Sequence, residues 1–167
     1  MTDAPTEVAP DSPERITRFQ ALGFFPADYA TVQDGKVYAS GAYFSLLRFP
    51  AFPASLPSMA LVAVLQSPFH THQHDHVVHM GLLDPDDMAM ALNIEGMFRT
   101  APSIESKYGE PGVVPLAVPI HGLQFPIPGK YTFIVNVDGA QLASYPIHAV
   151  QVATIPVPQG PSSTPSE

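Results

Sequence analysis

Two alternating runs of apolar and polar residues flank an Asp138-Gly139 dipeptide near the end of this 167-residue chain. Such alternation is typical of strands that bury one face. A tight turn between two strands needs residues that accept positive φ, and Asp-Gly meets that need. The segment 128–150 therefore predicts a β-hairpin, and it favours an antiparallel β-domain for the whole protein.

Further apolar or alternating segments precede the hairpin: Ala21–Tyr29, Lys36–Leu47, Ser58–Gln66, His76–Leu83, Met88–Arg99 and Val113–Ile120. The nearly continuous apolar run Ser58–Gln66 predicts a buried, central strand. Met88–Arg99 has residues that favour helices, but its period-two alternation favours a strand. About eight short strands separated by turn signals predict an all-β fold, an antiparallel β-sandwich of immunoglobulin-like or C2-like type.

The two ends of the chain differ in composition from the middle. Residues 1–18 are acidic and rich in proline, and residues 153–167 are rich in proline and serine. Segments of this kind bury too little apolar surface to offset the entropy of ordering. We therefore predict disordered tails at 1–18 and 153–167, and one β-sandwich domain over 19–152.

The charge balance bears on partners. The formal net charge is −8, which disfavours binding to nucleic acid or to an anionic membrane surface. The apolar run Met59–Leu65 is too short for a membrane span, and the N-terminal residues lack the apolar core of a secretory signal. There are no cysteines, so thiolate metal sites and a cysteine nucleophile are excluded. A cytoplasmic protein is the expectation.

Several turn and core motifs occur in a characteristic order: Asp28-Tyr29-Ala30, Gly35–Ala42, Leu82–Asp86, Val113–Leu116, Pro128–Tyr131 and Val137–Gly139. Through them, residues 19–152 resemble a family of small bacterial proteins that is known only as a domain of unknown function. The resemblance implies a β-sandwich and implies no catalytic residues. A histidine-rich loop is not expected of that family as a whole.

The segment Phe69–His79 holds five of the seven histidines. Alternate side chains of an extended segment point the same way, so one face is predicted to carry His70, His72, His74 and His76, with His79 as a further candidate. Neutral imidazoles in this pattern are typical ligands of Zn²⁺ or Ni²⁺. The alternative is a solvated surface loop without a physiological metal, because the helical His-Glu-x-x-His spacing is absent.

Strand parity makes this hypothesis more specific. If successive strands alternate in direction, the turns at Asp34, Gln73 and Asp138 lie at one end of the sandwich, and the turn Asp84–Asp87 lies at the other. Asp34 or Asp138 is then placed to complete a site of histidines and a carboxylate.

Other candidate chemistry has weaker signals. Asp84, Asp86 and Asp87 are compatible with calcium, but Asp and Pro are also ordinary turn residues. No Gly-x-Ser-x-Gly nucleophile motif occurs, and nothing in the spacing pairs Glu95 with Glu105.

The stretch around Phe44, Phe49 and Phe52 is the most apolar loop region. It either covers an open end of the sandwich or forms a binding patch for a partner.

These observations favour a non-enzymatic module for protein interaction or assembly that acts on a protein partner or on a second copy of itself. No cofactor is predicted for that function. The alternative function is a transition-metal-binding protein that uses the histidines between His70 and His79.

Overall fold

A computed structural model describes residues 16–100 and 109–153. Its strands are β1 (Gln20–Ala27), β2 (Tyr29–Gln33), β3 (Lys36–Ser40), β4 (Leu46–Phe49), β5 (Ala54–Ser67), β6 (Asp75–Leu83), β7 (Ala89–Arg99), β8 (Gly112–Phe125), β9 (Gly129–Val137) and β10 (Ala140–Gln151). A short 3₁₀ helix, Phe69–Thr71, precedes β6. Within the described residues, no helix has the length and apolar character needed to cross a membrane.

The strands form three sheets. One has the order β1-β5-β8, one has the order β4-β10-β9-β6-β7, and β2 and β3 form a separate hairpin. The described strand pairs are antiparallel except β4 with β10, which run parallel. The predicted all-β fold is confirmed.

The described chain has ten strands where the sequence predicts about eight, because the first two predicted strands each divide. Asp28 separates β1 from β2. Gly41 and Tyr43, both with positive φ, separate β3 from β4. Local apolar patterns continue through both breaks, so the pattern alone does not reveal them.

The main core lies between the two larger sheets. Tyr131, Phe133 and Val135 alternate along β9 and are fully buried. They share one cluster with Leu61 of β5 and Ile147 of β10, among others. Burying each large apolar side chain contributes roughly 1.5–3 kcal/mol. The facing sheets therefore pack as a β-sandwich.

Strand β5 is buried on both faces, as its apolar run predicts. Leu61, Ala63 and Leu65 belong to the core between the larger sheets. Ala60 and Val62 point the other way, into a second cluster that includes Val37 of β3. The β2–β3 hairpin thus covers the outer face of the three-stranded sheet, and the predicted central position is confirmed.

The predicted last hairpin is also present. Asp138 and Gly139 both have positive φ, at 50° and 81°, between β9 and β10. The register shifts between Gln141 and Ala143, so Leu142 forms a β-bulge close to this turn.

Some predictions fall on residues that the structure does not describe. Most of both predicted tails lies outside the described residues, in 1–15 and 154–167. Glu105 also lies outside them, in 101–108.

The apolar stretch after β3 closes the core. Phe49 is buried, with its ring centroid 5.6 Å from that of Phe52 and 5.5 Å from that of Phe125. Phe44 also packs against this cluster. These aromatic residues therefore pack on the core, and their covering of an open end of the sandwich stays an interpretation.

The turn between β6 and β7 is held by one carboxylate. Asp84 Oδ1 accepts hydrogen bonds from the backbone N–H groups of Asp86 and Met88, each at 2.9 Å. This is the turn-forming role that the sequence allows for aspartate. Among the described residues, no group of three or more His, Asp or Glu side chains is arranged to hold a metal, so calcium gains no support here.

Replacing Asp84 with alanine is expected to lower the free energy of unfolding by about 1 kcal/mol, because two backbone donors lose their acceptor. Urea unfolding of the purified variant measures the change. Asp86→Ala is the matched control: its exposed carboxylate makes no hydrogen bond to the described residues, and we expect a change within about 0.5 kcal/mol. Equal changes in the free energy of unfolding for both substitutions would contradict the turn-forming role of Asp84.

Candidate interaction site

The turn of the last hairpin lies against the start of β6. The register pairs Val78 with Val137, which brings Asp138 beside Val77. Asp138 N donates to Val77 O at 2.9 Å, and Val77 N donates to Asp138 Oδ1 at 3.0 Å. The prediction that Asp138 lies beside the histidine segment is confirmed. Asp34 makes no hydrogen bond or ion pair with any of the described histidines.

His76 is fixed through both ring nitrogens. Its Nδ1 donates to Asp138 Oδ2 at 2.7 Å, and its Nε2 donates to the Thr71 carbonyl at 3.0 Å. A carbonyl only accepts, so Nε2 must carry a proton, and an ionised carboxylate requires one on Nδ1 as well. This geometry is satisfied by an imidazolium paired with the Asp138 carboxylate.

The electrostatics agree with that assignment. Burial alone would lower the pKa of His76, but the hydrogen bonds to Thr71 and Asp138, together with the nearby carboxylate charges, outweigh it and raise the pKa above 6.5. Burial alone would raise the pKa of Asp138, but the Val77 N–H and the His76 charge outweigh it and lower the pKa below 3.8. The imidazole and the carboxyl group are therefore both charged between pH 3.8 and pH 6.5.

Aromatic rings enclose the imidazolium. The Phe19 ring lies edge-on to it with a centroid separation of 4.7 Å, and the Phe98 ring lies at 5.6 Å. His76 is therefore a buried charge at one end of the sandwich that ties the 3₁₀ helix to the β9–β10 turn.

His72 is buried in a separate contact. Its Nε2 lies 3.3 Å from Ser67 Oγ, and Ser67 is fully buried. Burial lowers the pKa of His72. Its buried Nδ1 has no hydrogen-bond partner among the described residues, so no described carboxylate orients the ring as a hydrolytic triad requires. This pair fixes the chain between β5 and the 3₁₀ helix.

The other histidines of the segment do not join these two. His70 and His74 are exposed. His70 lies in the 3₁₀ helix, and Gln73 has a φ of 68°. The prediction that His70, His72, His74 and His76 share one extended face is therefore wrong, because the helical turn and the positive φ break the period of two. Among the described residues, no group of three or more His, Asp or Glu side chains is arranged to hold a metal. Binding of Zn²⁺ or Ni²⁺ stays a prediction.

A cleft opens beside the His76–Asp138 pair. It has a volume of about 530 Å³ and lies between the start of β1 and the β9–β10 hairpin. Its lining consists of Arg18, Phe19, Gln20, Ala21, Thr71, Val137, Asp138, Ala140, Gln141 and Leu142. Phe19, Ala21, Val137 and Leu142 supply apolar surface, and polar groups stand among them. A volume of this size is within the range of ordinary ligand sites.

The start of β10 forms one wall of this cleft, and part of β1 lies close alongside the same strand. Strand β10 pairs with β9 along most of its length, but its pairing with β4 covers only residues 148–151. On the β4 side, residues 140–147 therefore have no strand partner within the described part of the chain. Strand β1 follows the opposite wall and pairs with β5. Tyr145 of β10 packs against the cluster that contains Phe25 and Ala27 of β1, so β1 covers part of this edge.

The charges of the cleft are unequal. Asp138 is compensated by His76, at 2.7 Å. Arg18 is exposed and makes no ion pair within residues 16–100 and 109–153. A guanidinium without a described counter-charge thus stands at the rim of an otherwise neutral cleft.

Arg18 and the cleft were not found by sequence reasoning, which assigned residue 18 to a disordered tail. The cleft depends on the approach of β1 to β10, more than 100 positions later in the sequence. No local pattern signals that approach.

No curated protein matches the sequence. The model of one family does match, over residues 22–150, which is most of the chain and includes the β-sandwich except Gln20, Ala21 and Gln151. The chain belongs to that family, described as a family of unknown function, DUF6941.

Proposed function

We propose that this chain is a non-enzymatic protein-interaction module of the bacterial cytoplasm, and that its partner binds in the cleft between β1 and the β9–β10 hairpin. The observation that carries the proposal is the cleft of about 530 Å³ between these two elements, which has apolar side chains on both walls. An open cleft with aromatic and aliphatic walls suits an extended segment of a polypeptide.

The anatomy of the cleft supports a protein partner. Phe19 and Leu142 provide apolar contact area, while Arg18, Gln20 and Gln141 provide polar groups around it. Protein interfaces commonly combine an apolar centre with a polar rim, and they favour aromatic residues and arginine. The His76–Asp138 pair stiffens one wall, which reduces the entropy that binding would otherwise cost.

Filling the cleft should abolish partner binding. Ala140 is exposed and lines the cleft, so Ala140→Trp places a large ring there without disturbing the core. Linear peptides selected from a random display library on the wild-type protein are expected to lose at least tenfold in affinity for this variant. Fluorescence anisotropy with the synthetic peptides measures the change.

Ala89→Trp is the matched control. Ala89 is also exposed and also opens a strand, but it begins β7, next to the Asp84 turn and at the opposite end of the five-stranded sheet. The selected peptides should bind this variant as they bind the wild type. A selection that yields no binders, or binders that tolerate Ala140→Trp, would overturn the proposal.

A further inference from the structure

Strand β7 is the outer strand of the five-stranded sheet, and its outer edge is open in the described structure. It pairs with β6, and no other described strand lies alongside it. Its side chains Leu92, Ile94 and Phe98 pack on the core but stay partly exposed, and Met97 is 72% exposed. A long edge with exposed apolar side chains is a template for the addition of another strand.

The other edges of the two larger sheets are protected. Strand β8 contains Pro115 and Pro119, whose missing N–H groups interrupt its outer edge. Strand β4 has only four residues, and β1 contains Pro26 and lies partly alongside β10. Strand β7 contains no proline and no lysine over residues 89–99, so it lacks the residues that commonly prevent edge pairing.

The backbone groups that face the open edge follow from the register. Asp138 N donates to Val77 O, so the odd-numbered residues of β6 bond to β9 and the even-numbered residues bond to β7. The even-numbered residues of β7 are their partners. The N–H and C=O groups of the odd-numbered residues from Asn93 to Arg99 therefore point to the open edge.

We propose that β7 pairs with β7 of a second copy of this chain, in antiparallel orientation and with the two-fold axis at Met97. The pairing joins the five-stranded sheets of the two copies into one continuous sheet. This inference goes beyond the proposed function, because no residue of β7 lines the cleft.

The charges of β7 select this register. With the axis at Met97, Glu95 of each copy lies opposite Arg99 of the other. An axis at Glu95 would instead place two carboxylates opposite each other, which is destabilising. Glu95 makes no ion pair within the described residues, so its charge is free to pair. Arg99 binds Asp75 through Nε and Nη2, which leaves Nη1 for a second carboxylate.

The apolar side chains agree with the same register. On the solvent face, Met97 meets its copy next to Val77, which is 39% exposed and lies opposite Met97 in β6. On the core face, Phe98 lies opposite Gly96 of the second copy, where no side chain obstructs the ring. The second copy therefore covers apolar groups that one sheet alone leaves partly exposed.

Sedimentation equilibrium of the full-length protein tests the pairing. Small interfaces are weak, so we expect a dimer with a dissociation constant on the order of 10 µM. Glu95→Arg should raise this constant at least about tenfold, because two attractive pairs with Arg99 become two repulsive ones. Asp86→Arg is the matched control: the same change in charge, at an exposed residue outside β7, should leave the constant unchanged.

A single introduced thiol tests the register, because the chain has no cysteine. The Cα atoms of opposite, hydrogen-bonded residues are about 5.5 Å apart, which a disulfide can span. Under mild oxidation, Met97→Cys is expected to give at least about fivefold more covalent dimer than Met88→Cys, at a methionine of similar exposure outside the strand. Two thiols from Glu95→Cys would lie about 14 Å apart and should not link.

A protein that stays monomeric at about 300 µM would overturn the inference. So would a dimer that links through Glu95→Cys or Met88→Cys as readily as through Met97→Cys. In both cases, loss of peptide binding in Ala140→Trp would still support the cleft, so failure of the dimer and failure of the proposed function are distinguishable.

Discussion

Replacing Phe133 with alanine is expected to lower the free energy of unfolding by about 3–5 kcal/mol. Phe133 is fully buried at the middle of β9, in the cluster shared by the two larger sheets. Truncation removes the transfer free energy of the ring and leaves a cavity that the flanking strands cannot close without leaving their register. Urea unfolding, followed by far-ultraviolet circular dichroism, measures the change.

Lys130→Ala provides the comparison within the same strand. Lys130 is exposed, and its loss should change stability by no more than about 0.5 kcal/mol. If Phe133→Ala were as mild as Lys130→Ala, the two sheets would not share this core, and the sandwich described above would be wrong.

Replacing His76 with glutamine is expected to cost about 2 kcal/mol near pH 6, and the cost should shrink as the pH rises above 7. The variant loses a charge-assisted hydrogen bond to Asp138 and leaves that carboxylate without its cation. Chemical unfolding of the wild type and the variant at several pH values measures the difference.

The sign of this pH dependence follows from the two pKa shifts. The folded pKa of His76 is raised above 6.5, so its contribution is fully present below pH 6.5 and is lost as the pH rises through the folded value. The folded pKa of Asp138 is lowered, so its contribution is present above pH 3.8 and is lost as the pH falls. The pair therefore stabilises the fold most between about pH 4 and pH 6.5.

His72 acts in the opposite direction, which is why the comparison must be made between variants. Its folded pKa is lowered, so its contribution is present above pH 6.5 and is lost as the pH falls below that value. His72 is present in both proteins, so its pH-dependent contribution cancels when the free energy of unfolding of His76→Gln is subtracted from that of the wild type. His74→Gln, at an exposed position, is the matched control and should change the free energy of unfolding by no more than about 0.5 kcal/mol. A cost of His76→Gln that grows with pH would contradict the imidazolium assignment.

The sequence predicts the fold well where the residue pattern within a single strand or turn is sufficient. The run Ser58–Gln66 is apolar on both faces because the β2–β3 hairpin covers what would otherwise be a solvent side. The turn at Asp138-Gly139 is specified by two residues that accept positive φ. The divisions after Ala27 and Ser40 are not predictable in this way, since the alternation of apolar residues is not interrupted there.

The candidate site was predictable only in part. Strand parity places Asp138 at the end of the sandwich where the histidines lie, and the contact with His76 confirms it. The prediction that four histidines share one face is wrong because a helical turn at Phe69–Thr71 replaces the assumed extended chain. The cleft forms where the first and last strands pack together, and the spacing of residues in the sequence does not indicate it.

Amide hydrogen exchange on the full-length protein, with and without a saturating peptide from the display selection, tests the central claim most directly. The account predicts that the amides of the cleft, at residues 18–21 and 140–142, become slower to exchange when the peptide is bound, while those of β7 are unchanged. Protection confined to β7 or to the β2–β3 hairpin, with none at the cleft, would contradict it.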